Sequence, residues 1–244
     1  MPDPVNQTRP RRVDGPWRRL GAVLWPSRCL ACGESGADNH DLCAACRAAL
    51  PWNHGACVRC ALPLPGSDGT ATCGRCLRRP PPLDRVLTAC LYATPLDRWL
   101  PRFKFHHDFA TGRLLSQLLA EACAGAPRPQ ALVPIPLHHT RLRRRGYDQA
   151  LELAKPLARA LELPLQPRLL QRARATTPQS ELSAAARRRN LCDAFVVVAE
   201  SALPAHVVLV DDVMTTGATL HAAARALRRA GVTRVDAWVC ARVP

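Results

Sequence analysis

Four C-x-x-C pairs constrain the fold of this chain more than any other feature. Eight of the twelve cysteines form these pairs, all between residues 29 and 76. A C-x-x-C turn directs two thiolates at one ion, and two such turns complete the tetrahedral sulfur shell of structural zinc. The pattern therefore predicts two zinc ions in a structural or binding module without an open position for a catalytic water. The predicted ligands are Cys29, Cys32, Cys43, Cys46, Cys57, Cys60, Cys73 and Cys76.

The spacing leaves two ways to pair the four turns. In sequential pairing the first two turns bind one ion and the last two bind the other, which closes short loops at a small cost in chain entropy. We favour this arrangement, and cross-braced pairing is the alternative. An iron–sulfur cluster or a redox-active C-x-x-C pair would be different chemistry, disfavoured by four closed sets without a thioredoxin-like context. His40 and His54 lie nearby, and we expect them to be exposed loop residues.

The chain is strongly basic, with a formal net charge of +15 and a pI near 10.2. Such a surface attracts polyanions, among them nucleic acid, nucleotides and pyrophosphate. Nearly all the basic residues are arginine, since Lys104 and Lys155 are the only lysines. The planar guanidinium suits bidentate contact with phosphate. A solvated basic face is the alternative interpretation.

Length and composition predict a globular protein with more than one folded unit. The 244 residues are 48% hydrophobic, enough for an α/β domain of about 150 residues and a smaller module. We expect a basic tail with a short amphipathic helix over residues 1–25, a double zinc-binding module over 26–80 and an α/β domain over 81–244. Without a run of apolar residues that resembles a signal peptide or a membrane span, we expect a cytoplasmic protein that does not insert into membranes.

Short apolar runs alternate with helical patterns after residue 85. This order predicts a parallel sheet covered by helices on both faces, and ligands of such sheets bind at the carboxyl ends of the strands. The predicted strands cover residues 86–92, 131–135, 195–198, 206–210 and 234–241, with an extended segment at 163–166. The predicted helices cover residues 96–105, 111–123, 148–161 and 219–230, the last stopped by Gly231. A basic loop is predicted over residues 171–190.

The most site-like segment is a buried strand that leads to two acids, Asp211 and Asp212. A loop of small and hydroxylated residues follows, in which Gly217 can turn freely and backbone N–H groups can face a phosphate at the start of the next helix. The Walker B strand of an ATPase looks the same locally, but the chain has no G-x-x-x-x-G-K-[ST] motif to accompany it. Acids that merely cap a turn would leave the hydroxyl-rich loop unexplained.

This segment, VVLVDDVMTTGATL at residues 207–220, resembles the phosphoribosyl-pyrophosphate (PRPP) signature of type I phosphoribosyltransferases. VPIP at residues 133–136, RLRRRGYDQ at 141–149, the basic loop at 174–190 and the four cysteine turns resemble, in the same order, the ComF family of competence-associated proteins. The resemblance covers nearly the whole chain after residue 25. It implies a type I phosphoribosyltransferase-like α/β fold preceded by a double zinc ribbon.

The resemblance also implies roles for individual residues. Asp211 and Asp212 would hold the ribose hydroxyls, and the loop after them would cradle the 5-phosphate; its residues are Val213, Met214, Thr215, Thr216, Gly217, Ala218 and Thr219. The pyrophosphate side would comprise Val133, Pro134, Ile135, Pro136, Leu137 and Arg145. A mobile loop that closes over PRPP would carry Arg174, Thr177, Gln179 and Arg188, although it could instead be a solvated loop.

Two hypotheses about function follow. In the first, the chain binds PRPP or a related ligand as a sensor and handles single-stranded DNA during natural transformation, with a helicase or channel of DNA uptake as a partner. In the second, it is an active phosphoribosyltransferase of nucleotide metabolism, with PRPP, Mg²⁺ and an unidentified acceptor. Arginines and Mg²⁺ near pyrophosphate, with acids near the sugar, would stabilise the charges that develop as the bond to pyrophosphate breaks.

Tryptophans are the candidate stacking residues for single-stranded DNA, since binding that tolerates any sequence stacks bases on aromatic rings. Trp17, Trp25, Trp52 and Trp99 have arginine or lysine close by in the sequence. A core or hinge role is the alternative for each of them.

Overall fold

The computed structural model describes residues 27–37, 40–67, 69–173, 194–198 and 202–244. The chain forms two compact units, Met1–Ala49 and Leu50–Pro244. The second set of four cysteines therefore lies in the larger unit. The functional division of the chain at residues 25 and 80 stays a prediction.

In the smaller unit, the described residues form a short turn and one helix. Arg28 and Ser35 make an isolated antiparallel bridge around the first C-x-x-C turn. Helix α1 (Ala44–Ala48) begins directly after Cys43, whose sulfur accepts a hydrogen bond from the amide of Cys46. The second C-x-x-C turn is thus also the first turn of this helix, which fixes the direction of both thiols.

The larger unit is built on a sheet of four strands, β1 (Val86–Leu91), β2 (Ala131–Pro134), β5 (His206–Met214) and β6 (Arg234–Arg242). Their order in the sheet is β1-β6-β5-β2, and every pairing is parallel. β5 and β6 are central and almost wholly buried, as expected of parallel strands covered on both faces. The predicted α/β fold with a parallel sheet is confirmed.

Helices cover the two faces of this sheet. α3 (Leu96–Phe105), α4 (Phe109–Cys123) and α6 (Gln149–Ala160) belong to one layer, in which α4 packs against α6 and β1. α7 (Ala218–Arg229) packs on β5 and β6 from a second layer. Two short helices complete the described set, α2 (Gly74–Arg78) and α5 (His139–Arg145). The helix predicted over residues 219–230 is confirmed within one residue, and Gly231 follows it with a φ of +107°.

The second cysteine set packs into the core beneath α7. Cys57, Cys60 and Cys76 are buried in the same apolar cluster as the α7 side chain Leu220 and the β6 side chain Val239. The isolated cysteines Cys90, Cys123 and Cys240 are also buried, whereas Cys192 lies outside the described residues. The second set of four cysteines is therefore part of the hydrophobic core of the sheet domain.

The predicted basic loop is wrong at its beginning. Residues Leu170–Arg172 form β3, which pairs antiparallel with β4 (Phe195–Val197) in a separate two-stranded ribbon. Leu170 and Phe195 are buried, but a strand of three residues is too short to show an alternating pattern in the sequence. Residues 174–193 lie outside the described part of the chain.

Among the described residues, no helix has the length and apolar character that crossing a membrane requires.

The extended segment predicted at 163–166 contributes one parallel bridge, Leu165 to Leu132, at the edge of the sheet. The amide of Leu132 also donates to the carbonyl of Pro164. This segment therefore extends the sheet beyond β2 without forming a full strand.

Candidate functional site

The eight paired cysteines form two clusters of four, each with the dimensions of a zinc site. One cluster is Cys29, Cys32, Cys43 and Cys46, and the other is Cys57, Cys60, Cys73 and Cys76. Within each cluster all four sulfurs lie within 4.8 Å of one another, and one pair across the two turns is 3.7 Å apart. A zinc ion with Zn–S distances of about 2.3 Å requires sulfurs about 3.8 Å apart. The predicted sequential pairing is confirmed, and both clusters are four-cysteine zinc-binding sites.

Backbone N–H groups favour the thiolate form of one sulfur in each cluster. Burial raises the pKa of the Cys29 thiol, but N–H groups, with those of Cys43 and Cys32 foremost, outweigh it and lower that pKa to about 6. In the second cluster the N–H groups of Cys73 and Arg59 likewise outweigh burial and lower the pKa of Cys57 to about 7. The amide of Cys73 lies 3.2 Å from the Cys57 sulfur. Such donors stabilise the negative charge that a metal-bound thiolate carries.

The two acids lie within β5, which continues past them. The predicted strand ends at Val210, but β5 runs on to Met214 because β6 pairs with it along this whole stretch, from Asp211 opposite Val239 to Met214 opposite Arg242. Successive residues of a strand face opposite sides, so Asp211 and Asp212 point to different faces of the sheet. The two carboxyl groups therefore meet different neighbours.

Asp212 makes an ion pair with a residue of α3. Its Oδ2 lies 3.0 Å from Nζ of Lys104, and its side chain is only 4% exposed. The other oxygen of Asp212 accepts a hydrogen bond from the amide of Val213 at 2.9 Å. The lysine thus compensates the charge of an acid that is almost completely removed from water.

Asp211 holds its proton more strongly than an ordinary aspartate. Burial and then the neighbouring charge of Asp212 raise its pKa well above the usual value, against the smaller opposing effects of the Asp212 amide and Lys104. The Asp212 amide donates to Asp211 Oδ1 at 2.9 Å. A carboxyl group whose pKa is strongly raised by burial and by a neighbouring acid is typical of a binding or catalytic site.

The loop after the acids leads into a helix that no side chain caps. Thr215 and Thr216 are exposed, and the N-cap residue Gly217 has a φ of +77°. A Cβ on Gly217 would lie 2.5 Å from Cε of Met214, so both the backbone angle and the space favour glycine. The amide of Ala218 faces the Thr216 hydroxyl at 3.4 Å. Exposed hydroxyls at a helix N-terminus form a cradle suited to an anion.

Arg242 fixes this loop from below. Its guanidinium is buried and donates to the carbonyl oxygens of Met214 at 3.0 Å and Thr215 at 2.5 Å, and it also contacts the carbonyl of Val243. Its Nε donates to the carbonyl of Cys60 at 2.8 Å. One side chain thereby connects the loop after β5 with Cys60 of the second zinc-binding cluster.

The field beneath the loop is positive. Burial lowers the pKa of His221, one turn into α7, to about 4, and the charges of Arg225, Arg75 and Arg242 add to the effect. Arg75 lies on α2, between the third and fourth cysteines of the second cluster. The segment that carries the second set of four cysteines therefore contributes the positive charge of Arg75, as well as packing, to the region around the loop.

The segment predicted for the pyrophosphate side lies next to the acids. β2 pairs with β5 so that Pro134 is opposite Val210, and the amide of Ile135 donates to the carbonyl of Val210 at 2.9 Å. Val133, Pro134 and Ile135 are buried, whereas Pro136 and Leu137 are half-buried. The amide of Leu137 donates to Asp148 at 3.0 Å, which anchors this turn to the start of α6. The buried side chains of Val133 to Ile135 and the paired amides of Ile135 and Leu137 are therefore not free to bind a ligand.

Arg145 approaches the same edge from α5. Burial lowers its pKa, while the charge of Asp212 raises it, which reports that Asp212 is near. Its guanidinium carbon lies 5.2 Å from the ring centre of Phe105. Gly146, with a φ of +82°, ends α5 directly after it and returns the chain towards Tyr147. Arg145 therefore lies in the electrostatic field of Asp212.

The structure brings most of the predicted residues to one edge of the sheet. It unites Asp211, Asp212, the loop that follows and the end of β2, with Arg145 close by. The predicted loop residues Arg174, Thr177, Gln179 and Arg188 lie outside the described residues, as do Trp17 and Trp25. Trp99 is buried in the core, and Trp52 stacks with His54 at 6.0 Å, so neither is a free stacking platform.

Sequence-based reasoning misses Lys104, Arg172 and Arg242 as site residues. Lys104 is one of only two lysines, and a lysine among so many arginines is a signal in itself. Arg172 feels the charge of Asp211, but the sequence predicts a loop where β3 forms. Arg242 is two residues from the end of the chain, where no local pattern indicates that it reaches back to residues 60 and 215.

Comparisons with known proteins agree with this arrangement. The family model described as Double zinc ribbon domain matches residues 20–77, and the one described as Phosphoribosyl transferase domain matches residues 148–244. Competence protein F of Haemophilus influenzae is 40% identical over 178 residues, which is 70% of this chain and 78% of that protein. The DNA utilization protein YhgH of Escherichia coli K12 is 38% identical over 179 residues, 70% of this chain and 77% of that protein. Competence protein ComFC of Bacillus subtilis is 40% identical over 100 residues, 41% of this chain and 39% of that protein.

Proposed function

Because the chain belongs to the ComF family, we propose that it binds PRPP or a related phosphoribosyl ligand and handles single-stranded DNA during DNA uptake. One observation carries the ligand half of this proposal: the Asp211–Asp212 pair of β5 is followed, through a loop with two exposed threonines, by the N-terminus of α7, whose N-cap residue is Gly217. The names of the relatives, competence protein F and DNA utilization protein YhgH, support the DNA half.

The geometry supports a division of labour for a ribose 5-phosphate. The loop hydroxyls and the first amides of α7 form an anion cradle, which suits the 5-phosphate. The two acids, on opposite faces of β5, offer acceptors for the ribose hydroxyls. Lys104 pairs with Asp212 at 3.0 Å and holds its carboxyl group in place, so that its oxygens are oriented before the ligand arrives.

The pyrophosphate would extend towards the turn at residues 135–137 and Arg145. The Arg145 guanidinium is the donor on this side, and Mg²⁺ bound with PRPP would neutralise the remaining charge. Donors near pyrophosphate also stabilise it as a leaving group, so the same arrangement can support transfer. An active transferase would also need an acceptor for the phosphoribosyl group, whereas binding of PRPP needs none.

Titration with PRPP and Mg²⁺ tests the proposal directly. Isothermal calorimetry should show binding to the wild type and a loss of at least roughly tenfold in affinity for the Asp211→Asn/Asp212→Asn variant, because each lost charge-assisted hydrogen bond is worth more than about 1.4 kcal/mol. Glu162→Gln is the matched control, since Glu162 is an exposed acid away from this edge. Absence of binding to the wild type would sink the proposal.

Two further readouts separate the roles. Release of pyrophosphate from bound PRPP, followed with and without nucleobases, distinguishes a transferase from a sensor. Anisotropy of a labelled single-stranded oligonucleotide tests the DNA half, and its affinity should fall steeply with salt because arginines displace counterions from the phosphates. A flat salt response would count against the basic surface as the origin of that binding.

A further inference from the structure

An exposed aromatic surface adjoins the candidate ligand site. Phe105 and Phe109 are 58% and 51% exposed, and they flank a turn at the junction of α3 and α4. Large apolar side chains in such a position mark an interaction site more often than an accident of folding. We call the rings of Phe105, His107, Phe109 and Tyr147, together with Arg145, the Phe surface.

The members of the Phe surface hold one another in place. Tyr147 is buried beneath them, with its ring centre 5.1 Å from His107 and 5.3 Å from Phe109. His107 and Phe109 meet edge to face at 6.4 Å. Arg145 lies over Phe105 and connects it to Tyr147 two residues along the chain. The exposed rings are therefore supported by a rigid base, so little conformational entropy is lost when a planar ligand stacks on them.

Cations border the Phe surface, and the acid in its turn, Asp108, is paired with Arg102 at 2.8 Å. α5 has the sequence HTRLRRR, with four arginines and no acid, and it ends at Arg145. Lys104, next to Phe105 in the chain, reaches Asp212 in the ligand site. Exposed rings beside a row of cations match a polyanion whose bases are unpaired, because bases stack on aromatic rings while phosphates bind guanidinium groups.

We infer that the Phe surface binds single-stranded DNA, with bases stacked on Phe105 and Phe109 and phosphates on the exposed residues Arg143 and Arg144 of α5. The inference rests on the proposed DNA-handling function and assigns it a location. In a duplex the base faces are covered by stacking, so the surface selects single strands. Lys104 is next to Phe105 in the chain and pairs with Asp212. The bound DNA strand would therefore lie beside the phosphoribosyl site rather than in it.

Anisotropy with a fluorescent oligothymidylate of roughly 16 nucleotides tests this inference. Phe105→Ala and Phe109→Ala should each weaken binding roughly 5- to 100-fold, as expected when one stacked base is lost. Phe109→Trp should retain the affinity. Leu77→Ala is the control, since Leu77 is 67% exposed and apolar but lies on α2. Affinity for PRPP should stay at the wild-type value in the Phe109 and Leu77 variants, and the Tm of Phe105→Ala, whose ring lies under Arg145, should stay at that of the wild type, which shows that the fold is intact.

The outcomes separate this inference from the function on which it rests. If the wild type binds the oligonucleotide and both alanine variants bind it equally well, the Phe surface is not the site, although DNA handling stands. If the wild type does not bind it, the DNA half of the proposed function fails as well. Equal affinity for a duplex, or displacement by thymidine monophosphate at matched nucleotide concentration, would also overturn the inference, because either excludes a site for a strand with unpaired bases.

Discussion

Arg242→Met tests whether a single buried guanidinium holds the loop that joins β5 to α7. Arg242 donates to the carbonyl oxygens of Cys60, Met214 and Thr215. Met214 keeps a second donor, the amide of Val243 at 3.0 Å, so the main loss falls on the other two carbonyls. Methionine has a similar length and no donor, so the substitution removes the hydrogen bonds while keeping most of the packing.

The expected cost follows from those two bonds. Hydrogen bonds to a charged group contribute about 1.5–3 kcal/mol each, which gives a gross loss of about 3–6 kcal/mol. Burial lowers the pKa of Arg242, which shows that removing its charge from water is unfavourable, and the substitution relieves that penalty. A net loss of about 2–4 kcal/mol remains, equivalent to a decrease in Tm of about 5–15 °C for a chain of this size.

Thermal unfolding followed by circular dichroism measures this change in stability. Calorimetry with PRPP measures the effect of the substitution on ligand affinity. The variant should lose at least roughly tenfold in PRPP affinity, because the backbone of residues 214–215 is no longer fixed. The Tm and the PRPP affinity of Arg242→Lys should lie between those of the wild type and those of Arg242→Met. An ammonium group can donate hydrogen bonds but lacks the planar fork that spans Cys60 and Thr215. Arg168→Met, at an exposed site, should change the free energy of unfolding by less than about 0.5 kcal/mol. A Tm within about 2 °C of the wild type with unchanged PRPP affinity would refute the reasoning.

Three further predictions concern the acid pair, the loop and the zinc clusters. Because the folded state raises the pKa of Asp211 above its ordinary value of 3.8, the native protein binds that proton more tightly, and stability should decrease as pH rises from that value through the raised pKa. Asp211→Asn should flatten this decrease in Tm measured against pH, and parallel curves for the two proteins would contradict it. Gly217→Ala should cost about 1–2 kcal/mol of stability and weaken PRPP binding because of its left-handed φ, whereas Gly125→Ala, with open space around its Cα, should be nearly neutral in the same denaturation assay. Cys57→Ser and Cys29→Ser should each reduce the zinc content from two ions to one by mass spectrometry, but only the former should lower the Tm of the sheet domain, because Cys57 is buried in its core; equal effects would disprove that asymmetry.

Local sequence patterns are sufficient for the elements whose signals lie within a few residues. Helix α3 is predicted at its observed bounds, and the sulfur pairing follows from the short loops between successive turns. These features depend on side-chain periodicity and on chain entropy, both of which act over short distances in the sequence. The predictions are wrong where pairing with a distant strand decides the outcome, as in the extension of β5 beyond Val210 and the formation of β3.

The four C-x-x-C pairs and the acid-hydroxyl segment determined, from the sequence alone, two four-cysteine sites and the edge of the sheet at which a ligand would bind. Only the tertiary structure decided that the second set of four cysteines packs under α7, that Lys104 meets Asp212 and that Arg242 connects Cys60 to the loop. The partners in the last contact are 182 residues apart in sequence. A buried charge takes whichever partners the packed core offers it, and the identity of those partners depends on the whole fold rather than on neighbouring residues.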